Sequence, residues 1–249
     1  MKQWDVICFD LDDTLIDYER TFRAAISHCF TTFCRNKDID FSSWFRVFKS
    51  FCDQYWPEYA CGRLTRMEYR RLRFLEAMRT FHIKADTKTA DEFHAYFDDI
   101  VGRHAIVMPD IVPLLEQLQK LPVQLGIITN GKSAIQREKI VCTGLHRFFP
   151  DHAIIISEEI GSEKPDAAIF RCALHRLAGD RQQSVYIGDS WELDVMGALN
   201  AGWQAIYLNR QKNAPVNRMS SVMICNNAKE LASILLGEFH LVERRERRL

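Results

Sequence analysis

Short apolar runs alternate with helix-like segments over most of this 249-residue chain. The runs that resemble strands lie at residues 4–10, 123–130, 152–159, 184–190 and 203–209. Between the later runs, apolar residues recur at helical spacing at about 110–120, 132–142, 166–178 and 191–200. This alternation predicts an α/β fold, in which helices cover both faces of a parallel sheet.

A helical block separates the first predicted strand from the others. Apolar positions between residues 17 and 104 follow helical spacing, and Asp17 is a candidate N-cap. Thr65 and Glu68 have the spacing of a capping box, which predicts a helix start there. The sheet domain is therefore predicted to be discontinuous, at 1–16 plus 105–249, with a helical insert at 17–104.

Polar residues follow four of the predicted strands. They are Asp10, Asp12, Asp13 and Thr14; Thr129, Asn130 and Gly131; Lys164; and Gly188, Asp189 and Ser190, with Asp194 shortly after. Taken singly, each group could be a turn, a helix cap or a surface lysine. Ligands of parallel α/β sheets bind at the carboxyl ends of the strands, so the four groups together predict one binding site.

Composition and charge exclude several classes of protein. Lys plus Arg and Asp plus Glu number 33 each, so the zero net charge argues against nucleic acid as a partner. No apolar run is long enough for a membrane span, and Asp5 and Asp10 interrupt any signal peptide, so we expect a cytoplasmic protein. The eight cysteines lack metal-site spacing and are predicted to be reduced thiols. The basic tail at 243–249 is expected to be a solvated helix end.

The same polar groups carry a family resemblance. "DLDDT", "TNG", "EKPD" and "GDSWELD" resemble the four motifs of the haloacid dehalogenase (HAD) superfamily, whose members are mostly phosphatases. The resemblance implies a Rossmann-like core with an inserted helical cap, a Mg²⁺ cofactor and a small soluble phosphomonoester as substrate. Residues 56–74, "WPEYACGRLTRMEYRRLRF", are also similar to cap segments of bacterial nucleotidase-like members.

The resemblance assigns a role to four acidic residues of the site, whereas Asp13 and Thr14 are expected to shape the loop rather than to take part in the chemistry. Asp10 is the expected nucleophile, which would form an aspartyl-phosphate intermediate. Asp12 lies two residues further along, on the same face of an extended backbone, and is the expected general acid and base. The expected Mg²⁺ ligands are Asp10, the backbone carbonyl of Asp12, and Asp189. Asp194 is expected to orient Lys164 or a metal-bound water, with Ser190 beside it.

The remaining candidates are expected to bind phosphate or to contact the substrate. Thr129 and the backbone of Asn130 and Gly131 should hydrogen-bond the phosphate oxygens, and Lys164 should neutralise charge on Asp10 and on the transferred group. In the cap, the candidates for substrate contact are Arg63, Arg73, Tyr59 and Trp56. Each of these four could equally be a packing residue or part of a solvated helix face.

Several functions fit the four motifs. A phosphatase of nucleoside 5′-monophosphates is favoured by the cap resemblance, and flavin mononucleotide, sugar phosphates and phosphoglycolate remain alternatives. A phosphomutase of the β-phosphoglucomutase type would use the same nucleophile. A non-enzymatic binding protein is disfavoured because every expected catalytic group is present. Dehalogenating members lack an acid at the position of Asp12, which favours phosphate esters here. The sequence allows a monomer or a homodimer.

Overall fold

The strand-like runs of the sequence form a single parallel sheet. Its strands are β1 (Val6–Phe9), β2 (Gln124–Thr129), β3 (Ile154–Ile156), β4 (Ser184–Gly188), β5 (Gln204–Leu208) and β6 (Met223–Cys225). Their order across the sheet is β3-β2-β1-β4-β5-β6, so that β1 lies between β2 and β4. The structure, a computed structural model, describes residues 4–34, 39–210, 219 and 221–246, with side chains to residue 237.

Ten α-helices accompany the strands in the described residues. They are α1 (Tyr18–Phe33), α2 (Phe41–Ala60), α3 (Arg66–Thr80), α4 (Thr87–Ile100), α5 (Ile111–Leu118), α6 (Ser133–Cys142), α7 (Ser157–Ile160), α8 (Ala167–Arg176), α9 (Gly197–Asn200) and α10 (Ala228–Glu246). Parallel strands with intervening helices confirm the predicted α/β class. Among the described residues, no helix combines the length and the apolar character needed to cross a membrane.

The central strand is buried on both faces. Successive side chains of β1 point to opposite sides of the sheet, so Ile7 and Phe9 belong to one hydrophobic cluster, and Val6 and Cys8 to the other. All four side chains are fully buried. This explains why the run preceding Asp10 is continuously apolar rather than alternating. All eight cysteines are free, in agreement with the prediction of reduced thiols.

The chain divides into two compact units. One comprises Met1–Tyr18 and Ala105–Leu249, and the other Glu19–His104. Where the chain leaves and re-enters the first unit, the two segments pair: Asp17 N–H donates to the Ile106 carbonyl at 2.8 Å, and Met108 N–H donates to the Leu15 carbonyl at 2.9 Å. We call Glu19–His104 the cap and the remainder the core.

Aromatic packing holds the cap helices together. The rings of Trp44 and Phe48 stack with centroids 4.8 Å apart, and Phe74 lies 4.6 Å from Phe93. The capping box predicted at the start of α3 is present, because Thr65 and Glu68 each hydrogen-bond the other's backbone N–H. No strand lies among the described residues of the cap.

Three details differ from the sequence prediction. Strand β3 ends at Ile156, and the next residues form the short helix α7, because polar Ser157 and the glutamates after it favour a helix start. Residues 191–196 form a π-helical turn ahead of α9 rather than a single α-helix. Strand β6 was not predicted, since its three residues are too short to form a recognisable apolar run. The side chains of the basic tail at 243–249 lie outside the described residues.

One buried histidine should make the cap sensitive to acid. His94 is 3% exposed, and its Nε2 lies 2.8 Å from the Arg70 carbonyl, which makes Nε2 the protonated nitrogen. Burial, together with the charges of Arg73 and Arg70, holds the pKa of His94 well below its usual value, although Asp98 opposes this. In the unfolded chain His94 therefore binds a proton near pH 6.5, whereas in the folded chain it stays neutral at that pH.

The free energy of unfolding should consequently fall as the pH falls below about 6.5. We expect a slope from this residue of about 1.4 kcal/mol per pH unit. The measurement is urea unfolding at pH 7.0 and 5.5 for the native chain and for His94→Gln, whose amide can also donate to the Arg70 carbonyl. The variant should lose about 1 kcal/mol less on acidification. An equal loss in both proteins would contradict the prediction.

Candidate active site

Lys164 lies at the centre of the polar site in the core. Its ammonium donates to Asp10 Oδ1 at 2.6 Å, to Asp194 Oδ1 at 2.7 Å and to the hydroxyl of Tyr186 at 3.0 Å. These contacts use all three donors of a lysine ammonium. Lys164 is 4% exposed, and although burial opposes its charge, the two carboxylates raise its pKa. It is therefore a buried cation that joins the ends of β1 and β4.

Three carboxylates lie close together at this end of the sheet. One oxygen from each of Asp10, Asp189 and Asp194 lies within 4.8 Å of the other two. Burial raises the pKa of Asp10 well above its usual value, against the lowering effect of Lys164, and the two neighbouring carboxylates add to the increase. Burial, followed by the charges of Asp194 and Asp13, raises the pKa of Asp189 to about 7. Three acids with one cation leave the cluster short of positive charge.

The end of β4 is shaped to hold Asp194. Ser190 N–H donates to Asp194 Oδ2 at 2.9 Å, and the Ser190 hydroxyl accepts from Leu193 N–H at the start of the π-helical turn. A Cβ on Gly188 would lie 2.3 Å from the Asp194 carboxyl carbon, so only glycine allows this close approach. Ser190 thus fixes one oxygen of Asp194, while Lys164 binds the other.

The loop after β2 also positions Lys164. The Asn130 side chain accepts from Lys164 N–H at 2.8 Å and donates to the Lys164 carbonyl at 3.0 Å. Gly131 has φ of 145°, which favours glycine, and its N–H donates to Ser157 Oγ. The Thr129 side chain is buried at the strand end. Phosphate binding by this loop stays a prediction, and the Asn130 side chain has a second role that the sequence did not reveal.

Asp12 has partners that the sequence analysis missed. Lys139 Nζ donates to Asp12 Oδ1 at 2.8 Å and to Oδ2 at 2.7 Å, and Gln136 Nε2 donates to Oδ2 at 3.1 Å. The same amide donates to Thr129 Oγ1 at 2.7 Å. Gln136 and Lys139 lie three residues apart on one face of α6, which directly follows the β2 loop. That spacing places the two side chains together, but nothing in the sequence connects them to Asp12.

Asp13 and Thr14 shape the loop that leads from Asp10 and Asp12 to the cap. Asp13 has φ of 58°, a left-handed conformation that aspartate and asparagine tolerate, and it accepts from Tyr18 N–H at 3.2 Å. Thr14 is fully buried, with its hydroxyl 3.5 Å from Asp189 Oδ1. Both contacts agree with the structural role expected for these residues.

The four substrate-contact candidates of the cap differ widely in environment. Arg63 is exposed and forms a bidentate ion pair with Glu58. Arg73 is 6% exposed, lies over the rings of Phe48 and Tyr69, and donates to the Tyr69 hydroxyl at 3.4 Å.

The two aromatic candidates border the same cluster. The ring of Tyr59 stacks on Tyr69 with centroids 5.1 Å apart, and Trp56 is 54% exposed beside both rings. Substrate contact by any of the four stays a prediction.

The acidic cluster fits a hard divalent cation. Mg²⁺ prefers carboxylate and carbonyl oxygens, and the described residues of the site offer oxygen donors but neither histidine nor thiolate. Burial first, and then repulsion among the carboxylates, raises the pKa values of Asp10 and Asp189, and a cation would stabilise the charged forms that both effects disfavour. The donor set and the charge balance therefore both suit Mg²⁺.

Comparison with known proteins identifies the family of this chain. Residues 4–202 match the family described as haloacid dehalogenase-like hydrolase, and the chain belongs to that family. It is 27% identical over 247 residues to the pyrimidine 5′-nucleotidase YjjG of Escherichia coli, covering 94% of this chain and 98% of that protein. It is 41% identical over 104 residues to a glyceraldehyde 3-phosphate phosphatase of Methanopyrus kandleri, covering 42% of this chain and 44% of that enzyme.

The solved structures share the fold. The HAD-hydrolase YfnB of Bacillus subtilis, in a crystal structure bound to magnesium, superposes with a TM-score of 0.77 at 24% identity, covering 94% of this chain and 99% of that one. The predicted HAD membership is thus confirmed, and the protein is a hydrolase.

Proposed function

We propose that this protein is a Mg²⁺-dependent phosphomonoester hydrolase that acts through an aspartyl-phosphate on Asp10. The observation that carries the proposal is the buried Lys164, which donates to both Asp10 and Asp194. With Asp189 in the same cluster, this arrangement provides a nucleophile, a fixed cation and oxygen ligands for a metal within one small volume. Phosphoryl transfer requires such positioning and stabilisation of negative charge.

In the first half of the reaction, an oxygen of Asp10 attacks phosphorus and the bond from phosphorus to the ester oxygen breaks. Asp12 gives a proton to the leaving oxygen, which departs as an alcohol. Lys164 neutralises charge on Asp10 and on the transferred group, while Asn130 and Asp194 hold the lysine in place. Thr129 and the backbone of the β2 loop bind the phosphate oxygens.

In the second half, water attacks the aspartyl-phosphate. Asp12, now a carboxylate, takes a proton from that water, and the bond from phosphorus to Asp10 breaks to release inorganic phosphate. Asp10, Asp189 and the backbone carbonyl of Asp12 would hold the Mg²⁺. The bound ion would offset the repulsion between the Asp10 carboxylate and the phosphate dianion.

We further propose nucleoside 5′-monophosphates, pyrimidine ones first, as the substrate class. The match to YjjG covers almost the whole chain and so includes most of the cap, whereas the match to the glyceraldehyde 3-phosphate phosphatase leaves more than half of the chain unmatched. The HAD chemistry is common to both relatives. The protein matched over both units is therefore the better guide to the substrate.

A panel of phosphate esters tests this function. We expect Mg²⁺-dependent phosphate release that is fastest with UMP or dUMP, and slower with AMP, flavin mononucleotide, glucose 6-phosphate, phosphoglycolate and glyceraldehyde 3-phosphate. EDTA should abolish release, and added Mg²⁺ should restore it. Activity confined to non-nucleotides would contradict the substrate class and leave the mechanism standing. Full activity in EDTA would contradict the metal requirement.

A further inference from the structure

Asp12 is held by two residues that no step of the proposed reaction uses. Lys139 contacts both carboxylate oxygens of Asp12 within 2.8 Å, and Gln136 contacts Oδ2. Lys139 is 4% exposed, and a buried ammonium is costly unless it is paired. Asp12 is the carboxylate with which Lys139 pairs in the structure. The pair therefore fixes the direction of the Asp12 side chain.

The contacts distinguish the two oxygens of Asp12. Oδ2 accepts from both Lys139 and Gln136, whereas among the described residues only Lys139 donates to Oδ1. A carboxylate oxygen has two lone pairs, so Oδ1 keeps one that is available for a proton. Gln136 also donates to Thr129 Oγ1, which links Asp12 to the loop expected to bind the phosphate.

We propose that Lys139, assisted by Gln136, is the positioning residue of the general acid and base, and that Asp12 transfers protons through Oδ1. This inference rests on the proposed function. Without Lys139, the Asp12 side chain could rotate among other staggered conformers, and Oδ1 would be misplaced for most of the time. Both proton transfers would slow, because such transfers require the proton and its acceptor to be within hydrogen-bond distance.

The two transfers can be separated by the choice of leaving group. p-Nitrophenolate leaves as an anion and needs no proton, whereas the alcohol of UMP does. In both cases the aspartyl-phosphate must then be hydrolysed by water, whose proton passes to Oδ1 while the bond from phosphorus to Asp10 breaks. A positioning defect should therefore leave one step unchanged, the formation of the aspartyl-phosphate from p-nitrophenyl phosphate. It should slow the formation of the aspartyl-phosphate from UMP, and its hydrolysis with either substrate.

The decisive variant is Lys139→Met, which keeps most of the length of the side chain and removes its charge. With p-nitrophenyl phosphate and Mg²⁺, we expect kcat to fall about 30-fold and kcat/KM to stay within about threefold of the native value. Rapid acid quench should show a larger fraction of the enzyme as aspartyl-phosphate. With UMP, kcat/KM itself should fall about 30-fold. Asp12→Asn should show the same pattern more strongly.

Matched variants separate positioning from general damage. Arg137 lies on the same helix, and Arg137→Met removes ion pairs to Glu159 and Asp151 but no contact with Asp12. We therefore expect its kcat and kcat/KM for both esters to stay within about twofold of the native values. Lys139→Arg should recover part of the loss. If Lys139→Met does not fold, Gln136→Met removes the other hydrogen bond to Asp12. Its losses in kcat and kcat/KM should follow the same pattern and be smaller.

The outcomes distinguish the inference from the function on which it rests. Equal losses in kcat/KM for both esters, without accumulation of the aspartyl-phosphate, would overturn the positioning role while the native enzyme remained active. Native kinetics in a folded Lys139→Met would overturn it as well. A native protein that hydrolyses neither ester would overturn the proposed function and the inference together.

Discussion

Asp10→Asn should reduce phosphate release by at least about 10⁴-fold, because the amide cannot serve as the nucleophile. Lys164 would keep its contact with Asp194, so we expect the variant to fold. Beryllium fluoride, which mimics an aspartyl-bound phosphoryl group, gives a second readout that does not depend on the substrate. With Mg²⁺ it should raise the Tm of the native protein and leave that of the variant unchanged.

Asp13→Asn provides the matched control for this prediction. It makes the same chemical change three residues away, at a left-handed position where asparagine is well tolerated. Its amide oxygen can still accept from Tyr18 N–H, so turnover should stay within about threefold of the native value. Turnover in Asp10→Asn within tenfold of native would contradict an aspartyl-phosphate mechanism.

Lys164→Met should impair both stability and activity. The substitution leaves Asp10 and Asp194 buried together without their cation, and breaking a buried ion pair by removing one partner costs about 3–5 kcal/mol. Phosphate release should fall by at least about 10²-fold, because the charge that stabilises the transferred group is lost. Urea unfolding in EDTA measures the first effect, and phosphate release with Mg²⁺ measures the second.

Two further proteins identify the cause of the instability. Lys164→Met combined with Asp194→Asn should regain part of the lost free energy of unfolding, because one of the uncompensated charges is gone. Lys120→Met, which changes an exposed lysine in the same way, should alter the free energy of unfolding by less than about 0.5 kcal/mol. A loss below about 1 kcal/mol in Lys164→Met would mean that the ion pairs contribute little to stability.

The main architecture could be predicted because local patterns determine it. β1 is apolar at every position because it is covered on both faces. The end of that apolar run places Asp10 at the edge of the sheet formed by the carboxyl ends of the strands. β6 escaped prediction because three residues carry too little periodicity to distinguish a strand from a loop. The π-helical turn at 191–196 has the polar and apolar spacing of an ordinary helix, so its extra width is invisible in the sequence.

The motifs predicted which residues belong to the site, but not how they contact one another. Lys139 and Gln136 are ordinary helix-surface residues in sequence, and only the fold brings them to Asp12, more than 120 positions earlier. Tyr186 lies within an apolar strand, and its hydroxyl connects Lys164 to the Ile128 carbonyl. The backbone of Asn130 is predicted to bind phosphate, and the hydrogen bonds from its side chain to the backbone of Lys164 are a separate contact that the motif does not reveal. Such long-range pairs leave no periodic signal.

The paired segments at the base of the cap have a consequence for how such proteins diversify. Ile16 bridges Val107 in antiparallel fashion, so the insertion starts and ends at neighbouring points of the core. The entropic cost of closing a loop grows only slowly with its length, by about 0.6 kcal/mol for each doubling. Inserts of very different size can therefore be exchanged at this junction at little cost to the sheet. One hydrolase core can therefore carry inserted domains of different size at this junction while its sheet stays the same.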